Sequence, residues 1–412
     1  PPLVLRRMLR RINMSSKFKF DRPDDAIAAL ASRLLPVAVE PAAPHLIDRI
    51  LARDVASDRD SPAADVSAMD GYAVRLAAVQ GIKSISVSGE SAPGAPPPQL
   101  SPGSVVRIFT GAIVPPGSEA VVKREDTEES DDSIRFRESA LGTAPGDHIR
   151  RAGENAKAGS TVLSAGTRVT PASHATMANF GAYKADVHAP VRVSIITSGN
   201  EVGLFEKAQP QPWQLRNSNR FALTSLLTRA WLQVTSTEHC QDDSAELADT
   251  LGRCLDQSDA VLLTGGVSMG DYDYVPEVVQ ASGGEIVFHG LPIRPGKPIL
   301  GAATAAGKLI LGLPGNPVSA TNGGHRFAIP LLAKMSGQFN WLPPCPVVRL
   351  EEAGDQSLPL HWMRLVRISG PGVAVPVQSR GSGDLVSLGA SSGYVEIPKG
   401  EQGSGPWPYH AW

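Results

Sequence analysis

Glu201, Asp242 and Asp273 each follow an apolar run that reads as a strand, while Arg294, Lys297 and Ser319 stand in or beside Pro–Gly turns. If those strands belong to one sheet, the three acids converge on one rim. Carboxylates clustered beside cations and free amides suit a multiply charged anion, with a divalent cation between the like charges. Mg²⁺ is the natural ion, because it takes oxygen ligands and bridges carboxylates to phosphate oxygens. Two segments point the same way: DAVLLTGGVSMGDYDY (259–274) and KLILGLPGNPVSA (308–320) both run from an apolar strand through glycines into a helix start. Such a mouth leaves backbone N–H groups bare and carries a partial positive charge, which suits phosphate or another oxyanion. IRPGKP (293–298) lies between the two.

Each residue also has an ordinary use. Asp70 in SAMDGYAV (67–74) precedes a Gly, as in many turns, and Thr110 in RIFTGAIVPPG (107–117) can be a turn hydroxyl. Glu201 in TSGNEV (197–202) can be a first-turn carboxylate beside a helix dipole. Asp242 or Asp243 can cap the helix that begins near Ser244, and Asp271 shares the first glycine turn with Asp273. Arg294 and Lys297 can be a solvated surface pair. In PGNPVSA, Asn316 is placed as an N-cap with Pro317 at the first helical position, and Ser319 then offers a hydroxyl and an amide in the first turn. Gly323 and Gly324 inside that helix cost about 1 kcal/mol each relative to Ala. Either the helix breaks there or something packs closely against its backbone.

The elements that must position these groups change texture along the chain. DDAIAALASRLL (24–35) has helical spacing behind acidic first-turn residues, and HLIDRILARDV (45–55) reads as a short helix or a strand and turn. From residue 59 to 147, short β-like runs (SISVSG, SVVRIF, EAVVKRE, SIRFRE) alternate with Gly/Pro turns, predicting an inserted β domain. Segments 20–58 and 148–190, with a helix over 172–182, form a linking domain on either side of it. From 191 to 337, strands and helices alternate: VRVSIITSG, helix 219–231, LQVTSTEH, helix 244–257, AVLLTGG and KLILGLPG. That alternation predicts a parallel sheet wrapped by helices, with ligands beyond the carboxyl ends of the strands. The tail, 338–412, returns to β runs (LHWMRLVRI, GVAVPVQ, YVEIP) as a compact β domain. The fold class is therefore α/β plus β, in several domains.

Composition narrows the partners. A chain of 412 residues holds two to four domains at roughly 100–200 residues each. Aromatic content of 5% argues against stacking platforms for single strands, and a net charge of −2 gives no field for a polyanion, so nucleic acid is not expected. No apolar run approaches the roughly 18–20 residues of a membrane span. Cys240, Cys254 and Cys345 show no CxxC and no evident His partner, so they read as reduced thiols of a cytoplasmic protein. PPLVLRRMLRRIN (1–13) is basic but lacks a secretory apolar stretch. Met14 reads as the natural start; a disordered lead through residue 19 is the alternative.

SAMDGYAV, RIFTGA, GGVSMGDYDY, IRPGKP and GLPGNPVSA, in that order, resemble the molybdopterin molybdenumtransferase family. This is the MoeA-like group that includes the E domains of gephyrin and of plant molybdenum insertases. The resemblance covers nearly the whole chain and implies four domains in an elongated homodimer, with 20–58 and 148–190 as the dimerisation domain and a β-barrel-like tail. It places the cleft between the α/β domain of one subunit and the inserted β domain of the other. It implies that molybdate and adenylylated molybdopterin are the substrates, that AMP is released, and that Mg²⁺ assists. The molybdopterin adenylyltransferase and recipient molybdoenzymes are the implied partners.

Carried onto this chain, the resemblance assigns Asp70 and Thr110 to the wall from the inserted domain. Glu201, Asp242 and Asp273 take the acidic, metal-holding positions, Asp273 foremost. Gly265, Gly266 and Ser268 match the pterin-phosphate turn, and Pro314, Gly315 and Asn316 the second glycine turn. Arg294, Lys297 and Ser319 match molybdate and anion positions, and Arg364 and Ser382 are set against an Arg and a Ser that the family uses for molybdate. Departures exist. In IRRAGEN (149–155), Ala152 stands where an Arg is common and Asn155 where an Asp is common, Arg294 replaces a more usual Lys, and Gly323 and Gly324 replace apolar helix residues. The expectation is an active transferase; the alternative is a weakened relative that binds molybdopterin or its metallated form as carrier or scaffold.

Overall fold

The computed structural model describes residues 18–80, 84–206, 208–267 and 274–412. The expectations placed on residues 1–17 and on Ser268, Asp271 and Asp273 lie outside the described residues. The chain divides into two compact units, one of Asp54–Ser164 and Ala172–Tyr183, the other of the stretches up to Arg53, Ala165–Pro171 and Lys184–Trp412.

The smaller unit is built on a six-stranded sheet. Its strands are β1 (Gly71–Val74), β2 (Ile85–Ser91), β3 (Ser104–Ile108), β4 (Ala120–Lys123), β5 (Thr127–Ser130) and β6 (Ser133–Phe136), in the order β4-β1-β3-β2-β6-β5. β1 lies inside the sheet and is buried at all four positions. A Cβ on Gly71 would meet the Val122 carbonyl oxygen at 1.9 Å, so the Asp–Gly pair serves a close backbone approach rather than only a turn. Val74, Val105, Val122 and Ile134 form the core beneath it.

In the larger unit, α1 (Pro23–Ala31) has Pro at its start and Asp24 and Asp25 in its first turn. It stops four residues before the predicted end, where Arg33 and Leu34 donate to carbonyls three residues back. HLIDRILARDV forms no helix; Ile50 and Leu51 bridge to Arg168 and Val187 instead. The helix α2 (Pro171–Asn179), which past its first residue belongs to the smaller unit, falls where 172–182 predicts one.

The central sheet alternates with helices in the predicted sequence: β7 (Val191–Ser198), α3 (Ser218–Leu226), β8 (Leu232–Cys240), α4 (Ser244–Gln257), β9 (Ala260–Thr264) and α5 (Val275–Ala281). The chain continues through β10 (Gly284–His289), the two-residue β11 (Ile293–Arg294), which lies outside this sheet, β12 (Leu300–Thr304), β13 (Leu309–Leu313) and α6 (Pro317–Gly323). The order is β8-β7-β9-β13-β12-β10. The first four strands are parallel, and β12 and β10 extend the sheet antiparallel, two strands the sequence reading did not separate. β9 and β13 are buried at every position, as strands covered on both faces must be.

α6 runs through a π turn (Gly324–Ala328) into α7 (Ile329–Met335). Both explanations offered for the paired glycines hold at once. A Cβ on Gly323 would meet Leu313 at 2.9 Å and one on Gly324 would meet Leu223 at 2.7 Å, where the helix also changes pitch.

The tail contributes β14 (Val347–Leu350), β15 (His361–Gly370), β16 (Val373–Pro376), α8 (Leu385–Gly389), β17 (Gly393–Ile397) and β18 (Trp407–Ala411). Pairing runs β15-β16-β14-β18-β17 and closes from β17 back to β15, a five-stranded barrel. β11 leaves the α/β region to pair with β15, Ile293 beside His361 and Arg294 beside Trp362. The architecture is α/β plus β, with the barrel in the tail.

Candidate functional site

The parallel register decides where the chemistry gathers. Thr197 on β7 lies beside His239 on β8 and Thr264 on β9, and Thr264 lies beside Leu313 on β13. The residues that follow these strand ends therefore share one edge of the sheet. Glu201, Asp242, Gly265, Gly266, Pro314, Gly315 and Asn316 line one cavity of about 820 Å³ there, with Arg216, Asn217 and Asn219.

Local bonds fix its walls. Asp242 accepts from the Asn200 amide and Asn200 accepts from the Asp242 amide, both at 3.1 Å, so the loops after β7 and β8 are bolted together. Asp243 caps α4 by accepting from the Glu246 amide at 2.8 Å, which leaves Asp242 for the cavity. Gly265 has φ +96°, and a Cβ there would strike Ser198 Oγ at 2.4 Å; a Cβ on Gly315 would point at Gly265 Cα at 3.7 Å. The two glycine turns thus abut. Asn217 caps α3 and donates to Thr197 Oγ1 at 2.8 Å, and Asn219 donates to the Gly315 carbonyl at 2.7 Å. These asparagines are site residues that sequence reasoning missed; their signal was the N-S-N run opening a helix.

The helix mouths are less bare than expected. The Gly265 amide donates to the Leu313 carbonyl at 3.1 Å, and the Val318 amide to the Ser382 carbonyl at 3.0 Å. Both acceptors are remote in sequence, so the glycines alone could not reveal them. Asn316 holds the cap position of α6 without a side-chain cap bond.

A second cavity, of about 670 Å³, is cationic. Arg294, Lys297, Arg364 and Arg380 line it with Ser319 and Ser382, and among the described residues no Asp or Glu lines it. β11, the start of α6, β15 and the loop before α8 supply these residues. The Arg364 guanidinium stacks on Trp362, 4.7 Å from the ring centre, and donates to the Ala353 carbonyl at 2.5 Å. Burial lowers the proton affinity of Arg364, though an Arg keeps its charge at neutral pH. Pro298, Pro314 and Asn316 line both cavities, so the two adjoin. Arg380 was not singled out from the sequence.

Asp70 and Thr110 lie in the smaller unit. One oxygen of Asp70 accepts from the Thr110 amide at 2.7 Å and from its hydroxyl at 2.8 Å. The Thr110 amide, then its hydroxyl, hold the Asp70 carboxyl below the usual range, with Arg124 and Arg107 adding to the effect. In the IRRAGEN segment, Arg150 binds Glu154 at 2.5 Å and Asn155 Oδ1 at 3.0 Å, while the Ala152 amide donates to Asp65 at 2.8 Å.

Among the described residues no group of three or more His, Cys, Asp or Glu is placed to hold a metal. The donor chemistry of Glu201 and Asp242 still fits Mg²⁺, which binds through one or two carboxylates and completes its shell with water and substrate phosphate. One expectation fails: Cys345 has a His partner, with Sγ 3.6 Å from His410 Nδ1.

The fold and the two cavities define a multidomain α/β-plus-β protein that presents a carboxylate-and-glycine cavity beside a cationic one. Residues 22–181 match the family described as the MoeA N-terminal region (domain I and II), and residues 194–334 match the probable molybdopterin binding domain. A molybdopterin molybdenumtransferase of Haemophilus influenzae is 37% identical over 72% of this chain and 72% of its own. One of Synechococcus elongatus is 34% identical over 89% of this chain and 92% of its own. The crystal structure of the molybdopterin biosynthesis moeA protein from Pyrococcus horikoshii superposes with a TM-score of 0.79 at 25% identity, covering 95% of this chain and 99% of that one. The chain belongs to the molybdopterin molybdenumtransferase family, enzymes of molybdenum cofactor biosynthesis. No helix among the described residues is long and apolar enough to cross a membrane.

Proposed function

We propose that this enzyme takes adenylylated molybdopterin and molybdate, cleaves off AMP and leaves molybdenum on the pterin, with Mg²⁺ assisting. One observation carries the reading: among the described residues, a cavity lined by four cations and no acid adjoins a cavity lined by two carboxylates and two abutting glycine turns. The first suits molybdate, and the second suits a pyrophosphate-linked ligand that needs a cation beside the acids. Cleaving such a linkage calls for positioning and charge stabilisation more than for a covalent nucleophile.

In this reading Arg294, Lys297 and Arg364 hold the oxyanion, and Ser319 and Ser382 orient it. Asn217 and Asn219 keep the two turns in place, and the abutting glycines admit the ligand backbone-close. Glu201 and Asp242 would hold Mg²⁺, which supplies charge neutralisation at the phosphate oxygens when bound; Asp273 is a third donor by resemblance. Asp70 and Thr110 belong to a wall supplied by a second copy, so the working form is a homodimer in the cytoplasm. It receives its substrate from the molybdopterin adenylyltransferase and passes product to recipient molybdoenzymes.

The test is AMP release from adenylylated molybdopterin with and without molybdate and Mg²⁺. Release that depends on both, with metallated pterin as product, supports the reading; saturable binding without turnover overturns it. A carrier is the second reading, favoured by Asn155, whose amide oxygen occupies Arg150 where a carboxylate is common. Turnover that rises on Asn155→Asp from a near-inactive parent supports the carrier, and an active parent removes it.

A further inference from the structure

We propose that Cys345 is a nucleophilic thiol, set up by His410 and Glu396 as a site of covalent modification by hydroperoxides and soft electrophiles. The three residues lie in the tail barrel, apart from both cavities. Cys345 Sγ is 3.6 Å from His410 Nδ1 and 3.8 Å from Nε2, and Nε2 is 3.7 Å from Glu396 Oε2. Cys345 is partly exposed, between Pro344 and Pro346, whereas His410 and Glu396 are largely covered.

The cluster is more than a chance contact, because its charges alternate in a line. Asp24 of α1 pairs with Arg326 of the π turn at 2.5 Å, and Arg326 pairs with Glu396 of β17 at 2.6 Å. Glu396 faces His410 of β18, and His410 faces Cys345. Tyr394 stacks flat on His410, centroids 4.7 Å apart at 10°, and fixes the ring plane. Burial disfavours the His410 cation, yet its contacts with Cys345 and Glu396 outweigh burial and raise its proton affinity. Burial, with the His410 charge, drives its neighbour His325 down to about 4, so His325 stays neutral. Among the described residues, His410 is the titratable group within hydrogen-bonding reach of the sulfur.

The chemistry follows. His410 takes the Sγ–H proton, and a sulfur lone pair attacks the terminal oxygen of a hydroperoxide. The O–O bond breaks, the departing oxide takes the proton back from imidazolium, and a sulfenic acid and water or an alcohol remain. With an alkyl halide the sulfur attacks carbon and halide leaves. Thiols poised beside a cationic imidazole react in this way, whereas buried ones do not. Cys240 and Cys254 are buried and serve as internal controls.

The experiment treats the intact protein with limiting iodoacetamide near pH 6 and maps adducts by peptide mass. Cys345 should label about tenfold faster than free cysteine, and His410→Gln should remove most of that excess. Hydrogen peroxide followed by dimedone should mark Cys345 and spare Cys240 and Cys254. Labelling no faster than free cysteine overturns the proposal, as does a His410→Gln rate equal to wild type. If His410→Gln exposes Cys240 and Cys254, and so has unfolded, the wild-type rate and the dimedone site decide.

Discussion

Thr110 gives both its amide and its hydroxyl to a single oxygen of Asp70, at 2.7 and 2.8 Å, and so joins the strand entry of β1 to the turn after β3. The amide bond is the larger influence on the carboxyl, which sits below its usual range. Thr110→Ala deletes the hydroxyl and keeps the amide. The Asp70 carboxyl should then titrate higher, though still below an ordinary Asp, as read by NMR. Because the folded value is depressed, any stability Asp70 contributes is present above its unfolded pKa and lost as pH falls through the folded one. Turnover should fall while the thermal melt stays put; an unchanged turnover would remove the pair from the site.

Glu201→Gln and Asp242→Asn should each raise the Mg²⁺ concentration needed for AMP release. The shift should be at least the roughly tenfold that follows loss of even an outer-shell partner. Asp242→Asn also weakens the bolt to Asn200, so its pterin binding should loosen too, whereas Glu201→Gln should spare it. Calorimetric titration of metal and of pterin separates the two effects.

If the cationic cavity holds molybdate, as proposed, its binding should be visible. Trp362 lies under Arg364, so an oxyanion drawing on that guanidinium should change the indole emission. Arg364→Lys loses the stack and the forked donor, and should raise the molybdate KM about tenfold or more, given about 1.5–3 kcal/mol for a hydrogen bond to a charged group. Lys297→Ala should do the same with the fluorescence response intact. A molybdate dependence untouched by both changes would contradict the assignment.

Glu396 offers a pH-dependent stability test. Burial alone would raise its carboxyl, but His410 and Arg326 outweigh burial and bring it to about 2. The folded value is depressed, so its contribution is full above the unfolded pKa and lost as pH falls from the usual Glu range towards 2. Glu396→Gln leaves Arg326 underpaired and should cost about 3–5 kcal/mol near neutrality. That gap should shrink at about pH 3 in urea melts, because the unfolded carboxyl is then protonated and folding must ionise it at a cost the Gln variant does not bear. A pH-independent gap would assign the residue a packing role only.

Gly324→Ala sets two effects against each other. Helix propensity favours Ala by about 1 kcal/mol, but its Cβ would meet Leu223 at 2.7 Å and Leu226 at 3.2 Å. Overpacking of this kind costs about 1–3 kcal/mol, so the variant should be less stable by chemical denaturation. A stabilised variant would mean that α3 gives way freely.

Much of the site could be read from sequence because its parts are local. SAELADTLGRCLDQ announces α4 from cap to end, since Asp243 bonds the Glu246 amide and Leu247, Leu251 and Cys254 share one buried face. Strand, turn and helix follow one another at Glu201, Asp242 and Gly265, so one parallel sheet suffices to gather them. What escaped depends on distant partners. Nothing near Val318 foretells the Ser382 carbonyl, and Cys345 meets His410 only because the barrel closes across 65 residues. β10 and β12 escaped too; of the two, β12 (LGAAT) is rich in small residues, and both pair antiparallel, outside the strand–helix alternation.

The two-residue strand Ile293–Arg294 is stitched to the barrel, yet its chain continues straight into the Lys297 loop of the α/β region. An oxyanion seated among Arg294, Lys297 and Arg364 therefore works as a rivet across a seam. If molybdate is that oxyanion, as proposed, then at a hundred times its dissociation constant it stabilises the folded protein by about 2.7 kcal/mol by mass action. On that reading, protein kept without molybdate should be the more readily cleaved by protease.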